Sequence, residues 1–511
     1  MIIRKLIRLV PALTGFLFLN TLPAFAQIKF ITDSLDKYID REMQRWNIPG
    51  VAVSVIKDGK IIYMKGFGVR EAGKPGNVDE NTLFMIASNT KAYTATAICL
   101  LDYEKRLSLN DKITKWMPDF KLYDDLATRE VTIRDMLCHR IGFQTFQSDF
   151  LNWGCNLTRK EVITNMRTVK PVFSFRSRYG YCNACFVTAG EIIPLATDTS
   201  WDDFLKHAIF QPLKMNRTTT QQSGIVKDNN AAKPYTIFDG KLTKLSYDSI
   251  DNLGPCGSIN SCVKDISNWI VMQLDSGRFE GKQIIPFEVL KKTRTSNTII
   301  NDPNNPMFKS KHFHTYGLGW FLDDYEGRKI ISHDGGADGF VTNTTFIPEE
   351  NFGFTILTNT DANSFFIALR DQLIDAALNV PYRNYSQIYF SENEKNVSEQ
   401  DAAIKALWEK AAKNPKPGLD LKNYTGKYSN EVYGEIEIKS ELKNLRIYFS
   451  HHPNLRGHLF PLGENNFVCN YDPVSYGVKE TTFKVKDGKV ESVTLRVNDF
   501  IDFMPYTFKK M

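Results

Sequence analysis

The sequence predicts an α+β protein: an antiparallel sheet with helices on both faces and a helical lobe beside it, followed by a small all-β barrel. Three observations carry this prediction. Strand patterns sit near both ends of the first 380 residues, with helical patterns between them. A polar stretch after residue 381 closes on "KNPKPGLD", whose prolines and glycine mark a linker. From Tyr424 to Phe508 short strands recur at a spacing of about ten residues, the rhythm of a small barrel or sandwich. The expected divisions are 1–26 as a leader, 27–380 as the first domain, 381–419 as the linker and 420–511 as the barrel.

The leader, "MIIRKLIRLVPALTGFLFLNTLPAFA", has a basic start (Arg4, Lys5, Arg8), an apolar middle and Ala24-Phe25-Ala26 before Gln27. That is the pattern of a secretory signal peptide. Its apolar run is interrupted and falls short of the ~20 residues a membrane span needs. A secreted or periplasmic protein with no transmembrane segment after signal removal is therefore expected. Without the leader's three basic side chains the formal charge drops from +6 to +3, too small to imply a nucleic-acid partner. At 42% hydrophobic and 24% charged the composition is that of an ordinary globular protein. Eight cysteines in 511 residues do not make a disulfide scaffold, and buried free thiols are expected.

Each element follows from its pattern. "ITDSLDKYIDREMQRW" places Ile31, Leu35, Tyr38, Ile39, Met43 and Trp46 at helical spacing. "GVAVSVIKDGKIIYMKGFG" reads as a hairpin around Asp58-Gly59, since a type I′ turn needs positive φ at both central residues. Residues 82–290 are mostly helical with long loops. "VTIRDMLCHRIGF" reads as a short helix ending at Gly142, and "SCVKDISNWIVMQLDSG" as an amphipathic one with Ser261 at its N-cap. After 315, "YGLGWFLDD", "RKIISHDGG" and "GFVTNTTFIPEENFGFTILTNT" are strand-like, and "ANSFFIALRDQLIDAAL" closes the domain as a helix. The linker is expected to hold one short helix.

The chemistry starts at "FMIASNTKAYTATAICLL". On a helix, residues i and i+3 share a face, so Ser88 and Lys91 can meet. A serine hydroxyl is a weak nucleophile without a base, and lysine serves as one only when neutral, which burial promotes. The spacing alone does not single out Ser88: it recurs at Ser34/Lys37, Ser261/Lys264 and Ser440/Lys443. What sets Ser88 apart is its surroundings, rich in alanine and apolar residues and lacking the charged face of a surface helix. A lysine buried there needs a reason.

Two further elements fit the same chemistry. "RYGYCNACF" supplies Tyr181 and Asn183: a phenol can carry a proton, and an amide can hold a substrate carbonyl and the lysine together. "ISHDGGADGF" places His333 at a strand end, followed by Gly335 and Gly336, where a substrate backbone can approach and an N–H can complete an oxyanion hole. Each is unremarkable alone; the order and spacing of the three carry the inference.

Ser-x-x-Lys, then Tyr-x-Asn, then a strand with His-x-Gly resembles the serine β-lactamase and penicillin-recognising family, in particular its class-C-like branch of esterases, D-amino-acid peptidases and related hydrolases. "TIRDMLCHRIGF", "GPCGSINSCVKDISNWI" and "YGLGW" are similar to recurring segments of that branch. The resemblance covers roughly residues 35–380, and the tail resembles a small β-barrel often fused to such hydrolases. It implies Ser88 as acylated nucleophile, Lys91 as proton acceptor, Tyr181 as proton relay, Asn183 as an orienting group, and His333, Gly335 and Gly336 at the substrate strand. His333 stands where β-lactamases carry the lysine of Lys-Thr-Gly. The missing cation and hydroxyl argue for an esterase or D-amino-acid peptidase, hydrolysing or transferring an acyl group, over antibiotic hydrolysis or a DD-peptidase.

Neither cofactor nor metal is expected. His312-x-His314 is present but no Asp-His follows it, no His-Glu-x-x-His occurs, and no Gly-x-Ser-x-Gly marks an α/β-hydrolase. The remaining alternative is an inactive cell-wall or ligand-binding protein. The partner expected is a small-molecule or peptide acyl substrate. Loops 145–175 and 210–250, with Phe146, Phe150, Trp153, Tyr235 and Phe238, are expected to shape the pocket.

Overall fold

The computed structural model describes residues 29–301, 306–441 and 444–511. The expected leader and Lys443 lie outside the described residues. Helix α1 (Leu35–Arg45) leads into the hairpin of β1 (Gly50–Lys57) and β2 (Lys60–Gly68). Asp58 and Gly59 both take positive φ, 51° and 73°, as the type I′ turn requires. Residues 69–297 form the helical lobe, including α2 (Thr90–Tyr103), α3 (Asn183–Gly190) and α4 (Val263–Leu274). The chain then returns as β3 (Thr298–Asn301), β4 (His314–Tyr316), β5 (Phe321–Tyr325), β6 (Arg328–Ala337), β7 (Phe340–Ile347) and β8 (Phe352–Thr358), closed by α5 (Phe365–Leu378).

These strands make one antiparallel sheet in the order β2-β1-β8-β7-β6-β5-β4-β3. The N-terminal hairpin joins the last strand, with Val51 opposite Thr358. Strand β1 is buried on both faces, which explains its nearly unbroken apolar run. Val51, Val53 and Val55 point into a core with α1 and α5. Ala52 and Ile56 face the larger core shared with α2 and α4.

Glycine is required at one position of β6 for a steric reason. A Cβ on Gly335 would sit 2.1 Å from the Ile86 carbonyl oxygen and 2.4 Å from Thr342 Oγ1. The sheet thus meets the segment before Ser88 backbone to backbone.

Two local expectations are corrected. The helix in "VTIRDMLCHRIGF" spans only Ile133–Leu137, because His139 already takes a positive φ of 56°. Ser261 is not an N-cap: α4 starts one residue later behind Cys262, and the Ser261 hydroxyl bonds Thr218 instead. All eight cysteines are free thiols, seven buried and Cys155 half-buried.

The segment between sheet and barrel holds a long helix, α6 (Tyr385–Ala411), in place of the short one expected. Its first turn is tied to α1, where Ser386 accepts from Trp46 Nε1 (2.9 Å) and donates to Glu42. Its last turns lay Trp408 against Phe460 of the barrel, ring centroids 5.2 Å apart. A mostly exposed, polar helix fixed at both ends is a strut, and its weak apolar periodicity hides its length from sequence.

The barrel is closed by eight antiparallel strands: β9 (Gly426–Asn430), β10 (Gly434–Glu441), β11 (Asn444–Phe449), β12 (Arg456–Gly463), β13 (Asn466–Tyr471), β14 (Val478–Lys486), β15 (Lys489–Leu495) and β16 (Tyr506–Lys510). It docks on the lobe through Phe150. That ring stacks on Tyr433 and His452 at 5.0 and 4.9 Å, and packs edge-on to Phe449, Tyr476 and Tyr506. His452 donates from Nε2 to the Trp153 carbonyl (3.0 Å) and accepts at Nδ1 from Tyr433 Oη (2.6 Å). Among the described residues no helix is long and apolar enough to cross a membrane.

Gly335→Ala is expected to lower stability by about 1–3 kcal/mol, because backbone rather than a flexible side chain must give way. Urea unfolding of variant and wild type measures it.

Candidate active site

Ser88 is presented by a single 3-10 turn, Ala87–Asn89, at the start of α2. Ala87 has φ of 45°, a left-handed conformation that costs a non-glycine residue about 1–3 kcal/mol. The surroundings hold it there. Ile86 N–H donates to the Ile259 carbonyl (3.0 Å), and the Ile86 carbonyl accepts from Asn89 Nδ2 (3.2 Å) and Thr342 Oγ1 (3.2 Å). Between Thr82 and Cys99 every residue is buried except Ser88. The helix brings one hydroxyl to the cleft floor and hides the rest.

Lys91 is fully buried. Its Nζ lies 3.1 Å from Ser88 Oγ, 2.7 Å from Asn183 Oδ1 and 2.9 Å from the Cys256 carbonyl oxygen. Burial is the main cause that lowers its pKa from 10.5 to about 8. The geometry suits the neutral amine. An uncharged amine has two hydrogens and one lone pair. Asn183 Oδ1 and the Cys256 carbonyl only accept, so they take both hydrogens. The lone pair is left facing the serine hydroxyl. Asn183 is oriented in turn, its Nδ2 donating to Asp149 Oδ2 at 2.7 Å.

Tyr181 lies across from Lys91, whose Nζ is 4.5 Å from the ring centroid, and its hydroxyl is within hydrogen-bond reach of Ser88. Burial drives its pKa well above the usual phenol value, so the ring stays protonated. Its backbone is clamped: Tyr181 N–H donates to Thr145 Oγ1 (3.2 Å), and its carbonyl accepts from Phe146 N–H (2.9 Å).

His333 lines the same wall, 6.2 Å from Tyr181 between ring centroids. Its Nδ1 is 2.6 Å from the Asp334 carbonyl and its Nε2 2.9 Å from Tyr316 Oη. A carbonyl only accepts, so Nδ1 carries the proton and Nε2 accepts from the tyrosine. Burial pushes its pKa down to about 3, so the imidazole is neutral with both nitrogens engaged. Of the two glycines after it, Gly335 makes room for the Ile86 backbone rather than for substrate. Gly336 alone opens outward.

Sequence reasoning brought Ser88, Lys91, Tyr181, Asn183, His333, Gly335 and Gly336 forward, and these residues lie together. It missed His139, Asp149 and the Cys256 carbonyl. His139 Nδ1 accepts from Cys182 N–H at 3.1 Å, its carbonyl accepts from Gly180 N–H at 2.9 Å, and its ring lies 4.4 Å from that of Tyr181. It therefore positions the tyrosine. The segment "HRIGF" was the available signal, as a histidine between the apolar run "MLC" and Arg140. Asp149, in "QSDFLNW", carries no such signal. Of the loop aromatics, Phe146 packs against Tyr181 at 5.6 Å, while Phe150 serves the barrel interface.

Asp149 titrates abnormally. Burial first, and then the charge of Asp502 on the barrel, raise its carboxyl from 3.8 to about 8. A carboxyl whose folded pKa is raised contributes full stability below its unfolded value, and that stability is lost as pH rises through the folded value. Asp149→Asn keeps an acceptor for Asn183 without the charge. Above pH 8 the variant is expected to exceed wild type by up to about 6 kcal/mol, with the gain vanishing toward pH 4. Urea unfolding across that range measures it.

The family model described as Beta-lactamase matches residues 35–379, and one described as a domain of unknown function (DUF3471) matches residues 410–510. The chain is 26% identical over 441 residues to the unguisins hydrolase ungD of Aspergillus violaceofuscus, covering 79% of this chain and 76% of that one. It is 25% identical over 341 residues to Protein flp of Staphylococcus aureus, covering 64% and 63%. Among solved structures, the octameric penicillin-binding protein homologue from Pyrococcus abyssi superposes with TM-score 0.60 at 22% identity, over 93% of this chain and 99% of that one. A D-stereospecific amidohydrolase from Streptomyces sp. superposes with TM-score 0.52 at 20% identity, over 66% and 95%. With the sheet, the helical lobe and the family match over most of its length, the chain belongs to the beta-lactamase family of serine hydrolases.

Proposed function

We propose that this enzyme cleaves an amide or ester through an acyl-enzyme on Ser88, with peptides bearing a D-configured residue as the leading substrate class. One observation carries the reading: the Lys91 amine spends both hydrogens on carbonyl oxygens and aims its lone pair at Ser88 Oγ. Ser88 Oγ attacks the substrate carbonyl carbon and its proton passes to Lys91 Nζ. The oxyanion faces the backbone N–H groups of Ser88 and Gly336, with the start of α2 adding positive potential. Collapse breaks the bond to the leaving group, which takes its proton by way of Tyr181. A water then adds to the acyl carbon and gives a proton to the Lys91–Tyr181 pair; collapse breaks the bond to Ser88 Oγ, which takes that proton back as the acid leaves.

The neutral, fully bonded His333 supports substrates without a carboxylate at that wall, and so an esterase or peptidase over a β-lactamase. The amide preference draws on the names of two similar proteins, an unguisins hydrolase and a D-stereospecific amidohydrolase. On the strength of the leader we place the mature chain in the periplasm or outside the cell.

A screen of p-nitrophenyl esters, D-alanyl peptides and nitrocefin tests the substrate class. Turnover is expected with the first two, and preferred turnover of nitrocefin would reverse the assignment. Ser88→Ala is expected to lose labelling by a fluorophosphonate and to lower kcat/KM at least about 10³-fold; intact-mass analysis reads the adduct. Below about pH 8 the amine is an ammonium with no lone pair, so kcat/KM is expected to fall about tenfold per pH unit. Because Asp149 titrates in the same range, the apparent value belongs to the Lys91–Asp149 pair, and Asp149→Asn should move the limb to lower pH.

A further inference from the structure

The loop between β15 and β16, residues 496–505, leaves the barrel and reaches the candidate active site at two points. A Cβ on Gly336 would lie 3.2 and 3.3 Å from Cζ and Cε2 of Phe500, so that ring rests on the outward face of the strand following His333. Three residues later Phe503 packs against Phe146 at 5.4 Å, and Phe146 packs against Tyr181 at 5.6 Å. Three residues of chain span at most about 10 Å. The loop therefore bridges the cleft mouth from the sheet rim to the tyrosine wall.

It is a built structure rather than a loose strap. Asn498 Oδ1 accepts from Phe500 N–H (3.0 Å), and the Asn498 carbonyl accepts from Ile501 N–H (2.9 Å) and Asp502 N–H (3.1 Å). Asp502 accepts from Met504 N–H (2.8 Å), from the Tyr506 hydroxyl and, across the interface, from Phe150 N–H (3.2 Å). Arg496 donates to the Phe503 carbonyl (3.2 Å). Val497, Ile501 and Asp502 are 1%, 4% and 1% exposed, whereas Phe500 is 41% exposed. The loop buries its flanks and leaves one apolar ring exposed beside Gly336.

We propose that this loop is the outer wall of the acyl cleft and that Phe500 selects acyl donors by bulk, admitting short acyl groups, a D-alanyl group among them, and refusing quaternary-branched or extended ones. A ring fixed beside the strand leaves a narrow slot there: a small group gains contact with it, and a tert-alkyl one collides with it. The barrel is then part of the active site, supplied by the same chain. The proposal rests on the serine-hydrolase reading above.

The test compares kcat/KM for p-nitrophenyl acetate and p-nitrophenyl pivalate in the full-length protein, wild type, Phe500→Ala and Phe500→Trp. The pivalate-to-acetate ratio is expected to rise about tenfold in Phe500→Ala and to fall in Phe500→Trp. A ratio within about twofold of wild type in both variants overturns the wall. Thermal unfolding of each variant separates a lost wall from a lost fold, and the exposed position makes either substitution compatible with folding. Labelling of wild-type Ser88 by a methyl fluorophosphonate keeps the two readings distinct. A protein that labels but shows no change in ratio loses only the wall; one that neither labels nor turns over either ester loses the hydrolase reading and the wall together.

Discussion

The buried amine of Lys91 is the constraint around which the rest is arranged. A lysine with no solvent contact is stable only if every hydrogen has an acceptor, and neutral only if its surroundings withhold charge. Asn183 and the Cys256 carbonyl supply the acceptors, and the aromatic wall of Tyr181 and Phe186 excludes water. These partners come from elements far apart in the chain: α2, the start of α3 and the turn Gly254–Gly257. The lobe closes around the lysine stem, so the site and the core of the lobe share the same residues.

The sheet supplies the opposite wall under a second constraint. Strand β6 approaches the Ser88 turn so closely that no side chain fits at Gly335, and the strained Ala87 is locked between Ile259, Asn89 and Thr342. Strain held by surrounding hydrogen bonds fixes a nucleophile more tightly than a relaxed turn does. Burial in that wall keeps His333 neutral, with both ring nitrogens bonded, and Lys91 is left as the cation of the site when protonated.

Much of this was legible in the sequence. The β1–β2 hairpin followed from Asp-Gly, and the strands at both ends from their β-branched runs. Ser88 stood out because its helix lacked a polar face. What stayed hidden depends on contacts that no local pattern encodes. Asp149 matters because Asn183 lies beside it, and Cys256 through its backbone oxygen, which any residue carries. Helix α6 was underestimated because an exposed strut needs no apolar stripe. Gly335 was noted, but its reason was misjudged: it serves the protein's own backbone rather than a substrate. Phe500 stood in a mixed loop of the last hundred residues, with no feature tying it to a serine four hundred positions earlier.

The Phe150 contact has a bearing on how such proteins evolve. That ring belongs to the lobe yet lies among the barrel's own aromatics, against both Tyr433 and His452. Exchange of one barrel for another would leave an orphaned phenyl on one side and an unfilled hollow on the other, each penalised like a cavity in any interior. The loop around residue 150 and the barrel that receives it must therefore be inherited as a single unit, and shuffling at the junction between the two modules is viable only when both halves of that joint travel together.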